Sequence, residues 1–461
     1  MIFKPKQRTK LLVSLKYALE QADVIGNRSL PADSARRFED ALGALDLADR
    51  ERLRTYISDA PMTELIYGFL LPRFRHLEPT PDSRAPLSSI PEFSNLDALA
   101  EEIVVAMETL PWSYRFTMEL PAAVSARLPL DFAWDLGDGV SIARGKGVAG
   151  RYLDPDPRDR GETTPIFPLA GATKAQLLVG VEGVVNVWQG TRPYFLGLDR
   201  TKAILGLMLA LELTAYSIPE WDREETYAKA HIFQRQADDT YRYETSAHFG
   251  RALSDTILTL SIGPGADVTS RAAWGRTIGG KISAISRVLR APEATRERLL
   301  LGAQWFFESR GGDSQLLCFI QTMVCLEILV GEELKGDQPK LGISELIRNR
   351  VAYLIGKDMT ERNHILETFG TIYKVRSEIV HRGHSRLTPE QERHHATLRS
   401  YCARVLRAEV ALLRSETDPP DDHWLDDLLG DPGADPLKGM YDARRAKALL
   451  DALTAQLKAP A

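Results

Sequence analysis

The sequence predicts an α+β, multidomain chain, with a mixed, β-containing N-terminal half followed by an all-α helical bundle. Two observations carry this reading. Apolar residues recur at the helical period up to about residue 110 and again from His248 onward, and between them the period shortens to the alternation of strands. The later helical segments are separated by short loops, which favours antiparallel packing. The expected organisation is a helical region over 1–111, a mixed α/β module of sensor or regulatory type over 112–245, the bundle over 246–415, and an acidic linker with a last helix over 416–461.

Periodicity places helices at Lys10–Gln21, Ala32–Leu45, Leu47–Ser58 and Met62–Arg73, a proline-rich link (Pro79, Pro81, Pro86, Pro91), and a helix at Leu96–Leu110. Tyr114–Leu120 then alternates as a half-buried strand does. Phe132–Leu136 and Val140–Ile142 flank the turn signal Asp138-Gly139 and read as a hairpin. Leu177–Val187, interrupted by Gly180 and Gly183, reads as two short strands or one bulged strand, and Leu198–Ile218 as a closing helix. Most strands are therefore expected within 112–190. Further helices are expected at Arg251–Ser261, Val268–Leu289, Ala294–Ser309, Ser314–Val330, Ser344–Ile355, Glu361–His381 and Pro389–Arg414. Residues 416–436 hold eight Asp or Glu, four Pro and no Lys or Arg, the composition of a solvated linker, and Leu437–Leu457 is a last helix.

Composition narrows the function classes. In 461 residues, 44% are hydrophobic and 26% charged, as in ordinary globular chains. A net charge of -5 argues against coating nucleic acid by bulk electrostatics, while leaving room for a local basic site. Cys318, Cys325 and Cys402 lie in apolar contexts and suggest neither a disulfide framework nor a zinc site. Leu11–Val13 is too short for a signal-peptide core and Ala203–Leu211 too short to cross a bilayer, so a cytoplasmic protein without a membrane partner is expected. Gly145-Lys-Gly-Val-Ala-Gly150 fits a dinucleotide fingerprint, but the Asp- and Pro-rich stretch after it cannot form the helix that a phosphate loop needs. No cofactor or metal is expected.

The run Tyr373-Lys-Val-Arg376-Ser-Glu-Ile-Val-His381-Arg-Gly383 stands apart. At about 100° per residue, Phe369, Ile372, Val375, Ile379 and Val380 form one apolar stripe, and Arg376 falls inside it. His381 lies at its edge, before a glycine suited to end a helix. A cation in an apolar face beside a titratable imidazole is a candidate catalytic pair.

With Ala303–Glu308 and Met323–Leu329 preceding it in order, this run resembles the Apea-like branch of the HEPN domains. These are all-α, dimerising domains, many of them metal-independent ribonucleases, with an Arg, four to six variable residues and a His as signature. Arg376 and His381 match its shortest form, and the likeness covers about 250–415. Ser377 stands where many active members carry Asn or Asp. The resemblance implies an endoribonuclease that cleaves RNA by attack of the 2′-OH, of the anti-phage or abortive-infection kind. It implies a homodimer, and a phage-derived trigger or regulatory partner acting on the N-terminal half.

The chemistry suits the residues. Histidine near neutrality can take the 2′-OH proton and protonate the leaving oxygen, and the forked arginine can hold the phosphorane. On one helix the two side chains point about 140° apart and ~7.5 Å along the axis. Two copies meeting on the apolar stripe across a two-fold axis would bring pairs of them around one cleft. Tyr373, Ser377 and Glu327 are expected as supporting residues, and Lys374, Arg382 and His384 as RNA contacts, with Arg348, Arg350 and Arg386 as further cations. Two bland alternatives stay open: Arg376 forms a buried ion pair with Glu327, and His381 simply complements a helix C-terminus. His384, His394, His395 and His364 are expected to be mostly solvated. The competing functional reading is a bundle without catalysis that dimerises or binds a nucleotide or protein partner.

Overall fold

Proline opens the first helix, α1 (Pro5–Glu20), five residues before its apolar period becomes evident, because position N1 needs no backbone N–H and a preset φ helps. The fold is that of a computed structural model, which describes residues 3–413 except 27–28, 58–60, 75–76, 78–82, 127, 129–131, 145–151, 154–173, 187–189, 217–226, 264–274, 313, 332–341 and 383–385. The glycine-rich run at 145–150, the acidic stretch and the last expected helix lie outside the described residues.

The N-terminal region is not wholly helical. Strand β1 (Asp23–Ile25) follows α1, and helices α2 (Ala32–Leu42), α3 (Leu47–Ile57) and α4 (Glu64–Phe74) come next. Strand β2 (Arg84–Pro86), within the proline-rich link, pairs antiparallel with β1. Arg84 fixes this ribbon by bonding Asp23 and Asp33. Helix α5 (Leu96–Glu108) is capped by Asn95, whose Oδ1 accepts the Ala98 N–H at 3.1 Å.

A seven-stranded sheet follows, with β3 (Trp112–Glu119), the short helix α6 (Ala122–Ser125), β4 (Ala133–Gly137), β5 (Val140–Ala143), β6 (Tyr152–Leu153) and β7 (Gln176–Gly183). The hairpin between β4 and β5 turns at Asp138 (φ 48°) and Gly139 (φ 73°), the left-handed pair its sequence announces. β7 is one unbroken strand, in register with β3 from Gln176↔Glu119 to Gly183↔Trp112. Gly180 makes room rather than marking a bulge: a Cβ there would lie 2.9 Å from the guanidinium of Arg115.

Helix α7 (Arg192–Ala210) starts earlier and ends earlier than expected, because β8 (Thr214–Tyr216) takes up the rest of that apolar run. Beyond it come β9 (Lys229–Arg235) and β10 (Tyr241–His248). The strands therefore do not concentrate in 112–190, and β10 crosses the expected boundary at 245. The sheet order is β4-β5-β7-β3-β9-β10-β6, with β9 and β10 added to the edge that β3 would otherwise expose.

Helix α8 (Arg251–Leu258) stops short of Ser261, since β11 (Leu260–Ile262) pairs with β8. A π-helical turn at Gly275–Gly279 leads into α9 (Gly280–Leu289), then α10 (Glu293–Glu308), α11 (Gln315–Val330), α12 (Ile343–Ile355), α13 (Met359–Arg382) and α14 (Pro389–Ala411). α14 opens with a full capping box between Thr388 and Gln391. From 263 to 413 the described residues are helical or irregular.

The two halves share a core. α7 lies between the sheet and the bundle, and its Gly206 sits so close to α10 that a Cβ would come within 2.0 Å of the Ala303 carbonyl oxygen. One apolar cluster runs from Leu11 through Phe116, Ile204 and Phe306 to Val410. No described helix is long and apolar enough to cross a membrane.

Candidate functional site

Helix α13 carries the arginine and the histidine. Its stripe begins as expected: Phe369, Ile372 and Val375 are buried, and the Phe369 ring lies 6.4 Å from that of Tyr401 on α14. Ile379 is half-buried, but Val380 is 54% exposed. Eleven residues turn a helix by about 1,100°, so Val380 points within ~20° of Phe369. Phe369, Ile372 and Val375 are therefore spent on the chain's own bundle, and Val380 is the part of the stripe left open.

Arg376 sits where the cover ends. Its Nη2 lies 3.5 Å from Glu327 Oε1 on the last turn of α11, and the two side chains are 37% and 29% exposed. The ion pair foreseen from sequence is present, but it is half-exposed rather than buried. Tyr373, one turn earlier, buries its hydroxyl with no hydrogen-bond partner. Burial, with the Glu327 carboxylate adding to it, pushes that phenol up to about 12, so it is a proton donor at neutral pH. Glu327, Tyr373 and Arg376 thus form one cluster at the open end of the bundle.

His381, Ser377 and Lys374 are exposed and make no hydrogen bond or ion pair with the described residues. Arg382 ends the helix, and His384 lies outside the described residues. Five residues of straight helix keep Arg376 and His381 about 140° and ~7.5 Å apart, so one copy of α13 does not converge them on a single atom. Of the other cations, Arg350 Nη1 donates to the Val330 carbonyl at 2.6 Å and so closes the end of α11. Arg348 lies 3.6 Å from Glu345, and Arg386 is exposed.

The neighbouring histidines are not uniformly solvated. His364 is exposed and His394 lies 3.9 Å from Glu390, but His395 is buried. Its Nε2 bonds Thr322 Oγ1 at 3.0 Å, and burial pushes its pKa down to about 3, so it serves the core as a neutral imidazole. Cys318, Cys325 and Cys402 are buried free thiols. Among the described residues, no three His, Cys, Asp or Glu side chains gather closely enough to share a metal ion.

Sequence alone does not single out three other buried polar groups. Glu64 is 1% exposed and accepts a hydrogen bond from Asn186 Nδ2. His231 on β9 bonds Ser246 on β10, and Gln176 on β7 is wholly buried. Glu64 reads as an ordinary first-turn acid, and the segment holding His231 shows its alternation only once paired. No protein family, curated protein or solved structure matches the chain.

Proposed function

We propose that residues 246–415 form a HEPN-type bundle and that the chain is a metal-independent endoribonuclease of the anti-phage or abortive-infection kind. In this reading Arg376 holds the phosphate and His381 moves the protons. The carrying observation is that Arg376, though on an apolar face, stays partly open to solvent beside the orphaned Tyr373 hydroxyl, at the end where α13 also presents His381. Attack of the 2′-OH gives a 2′,3′-cyclic phosphate and a 5′-hydroxyl end, with the imidazole taking and returning the proton. Arg376 offers donors to the phosphorane oxygens, with Tyr373 supporting it from the buried side, and Lys374, Arg382 and His384 offer donors to neighbouring phosphates. Because one helix separates Arg376 from His381, the active form is a homodimer joined on the exposed end of α13 around Ser377, Val380 and His381. A phage-derived trigger or regulatory partner acts through the N-terminal half.

Expression of the wild type and of His381→Ala, followed by total RNA analysis and growth, tests this. The wild type should degrade RNA to cyclic-phosphate ends in the presence of EDTA, and His381→Ala should lose about 10²- to 10⁴-fold activity with an unchanged melting temperature. Undiminished cleavage by that variant would remove the mechanism. Sedimentation of the purified chain should give a dimer at micromolar concentration, and a monomer there would count against the shared site.

A second reading has its own observation. No described group orients the His381 ring, whereas a catalytic base is ordinarily held by a third residue. If RNA survives the wild-type chain, the bundle is a non-catalytic module that dimerises or binds a nucleotide or protein partner.

A further inference from the structure

Helix α1 turns an apolar ridge to the outside. Its inner face is ordinary: Leu11, Leu15, Ala18 and Leu19 are buried in the core. On the opposite side Lys6, Lys10, Val13 and Tyr17 follow at spacings of four, three and four residues, which sets them in one straight ridge ~16.5 Å long. All four are exposed. Val13 at 66% and Tyr17 at 67% are the two most exposed large hydrophobic side chains among the described residues. The third, Leu47 at 63%, opens α3 next to Asp46, whose Oδ2 accepts a hydrogen bond from Gln7 of α1 at 3.2 Å. That bond brings Leu47 beside the start of the ridge.

The charges around these residues are of one sign. Lys4, Lys6 and Lys10 are exposed, and none of them makes an ion pair with a described residue. Arg8 and Lys16, on the flank facing α5, differ: Arg8 is paired with Glu101 and Glu108, and Lys16 with Asp97. Lys4 is the N-cap of α1, and the first turn holds no carboxylate. Cations there oppose the positive end of the helix dipole, an arrangement that an anionic partner would relieve. Glu20, at the far end, is the single carboxylate of α1.

We propose that this side of α1 seats on the surface of an anionic lipid bilayer. Val13, Tyr17 and Leu47 enter the boundary between headgroups and acyl chains, and Lys4, Lys6 and Lys10 lie on the lipid phosphates. Lysine buries its stem at that depth while its ammonium stays among the headgroups, and tyrosine has an apolar body with a polar tip. Two of the three apolar side chains are aliphatic, whereas a single strand of RNA stacks its bases on aromatic rings. The ridge is convex, and a bilayer needs no groove to receive it. No described helix crosses a membrane, and this seat requires none to do so. It shares no residue with α13, so it stands or falls apart from the ribonuclease reading.

Flotation of the full chain with vesicles of phosphatidylcholine alone, and of phosphatidylcholine and phosphatidylglycerol in equal parts, tests the seat without a nuclease readout. At low salt the mixed vesicles should bind at least about tenfold more tightly than the neutral ones, and high salt should shrink the difference. Lys6→Glu combined with Lys10→Glu should weaken binding to the mixed vesicles at least about tenfold. Val13→Ser combined with Tyr17→Ser should also weaken it at least about tenfold, which attraction between charges alone would not produce. All four positions are exposed, so both double variants should melt with the wild type. A 2′-O-methyl oligouridylate, which 2′-OH attack cannot cleave, is titrated beside the vesicles. Equal binding to the two kinds of vesicle or unchanged binding in either double variant would overturn the proposal. So would oligouridylate binding that the lysine variant loses while the mixed vesicles bind nothing, which would assign the ridge to nucleic acid.

Discussion

Arg376 and Glu64 show how one ionisable side chain can have opposite meanings in one fold. Arg376 has solvent and a carboxylate at 3.5 Å, so its substitution by alanine should cost under about 1 kcal/mol of stability while abolishing cleavage. Glu64 has neither solvent nor a cation: Asn186 Nδ2 donates to it, and burial raises its pKa from 4.5 to about 7. A carboxyl raised in the folded state binds its proton more tightly there than in the unfolded chain. Its contribution is therefore complete below pH 4.5 and is lost as the pH rises through 7. Glu64→Gln fixes the neutral form, so it should match the wild type near pH 4.5 and exceed it at pH 8 by up to about 3 kcal/mol. Urea unfolding at both pH values checks this, and an equal difference at the two would show that ionisation plays no part.

Helices α7 and α10 meet more closely than ordinary side chains allow, and Gly206 is the reason. A Cβ at 206 would fall within 2.0 Å of the Ala303 carbonyl oxygen, a backbone atom that no rotamer change can remove. Gly206→Ala should therefore lower stability by about 2–4 kcal/mol despite the better helix propensity of alanine, as a drop in melting temperature would show. The converse holds at the end of α13, where Val380 is left open. Exposed residues there are free for partners because the bundle does not use them.

At the scale of the whole chain, the continuous core from Leu11 to Val410 means that the sheet and the bundle each lack a face without the other. Calorimetry on the full protein should show one cooperative transition for these residues, and the 246–415 segment produced alone should be poorly soluble, because α10 would expose the face that α7 covers. Two well-separated transitions would mean independent domains.

Residues close together in sequence were legible directly. The Asp138-Gly139 turn, the capping signal at Thr388 and the helical stripes of α10 to α14 follow from rules that act within a few residues, and the structure follows them. The pairing of Arg376 with Glu327 was also foreseeable, since a cation on an apolar stripe needs a partner. Distant pairing was not. Thr214–Tyr216 and Leu260–Ile262 read as helix ends, because a three-residue strand carries no period of its own and exists only through its partner. β9 and β10 are longer, but their burial does not alternate along the strand, so they and with them His231 and Ser246 are placed only by pairing with β3 and with each other. Gln176 looks unremarkable in sequence, and only the stacking of strands around it buries both of its amide atoms unpaired. The sequence by itself determined most of the helical segments and that Arg376 and His381 share one of them. The tertiary structure decided that Phe369, Ile372 and Val375 are spent inside one chain while the ion pair stays half-open, because cover depends on how distant segments pack and no local pattern encodes that.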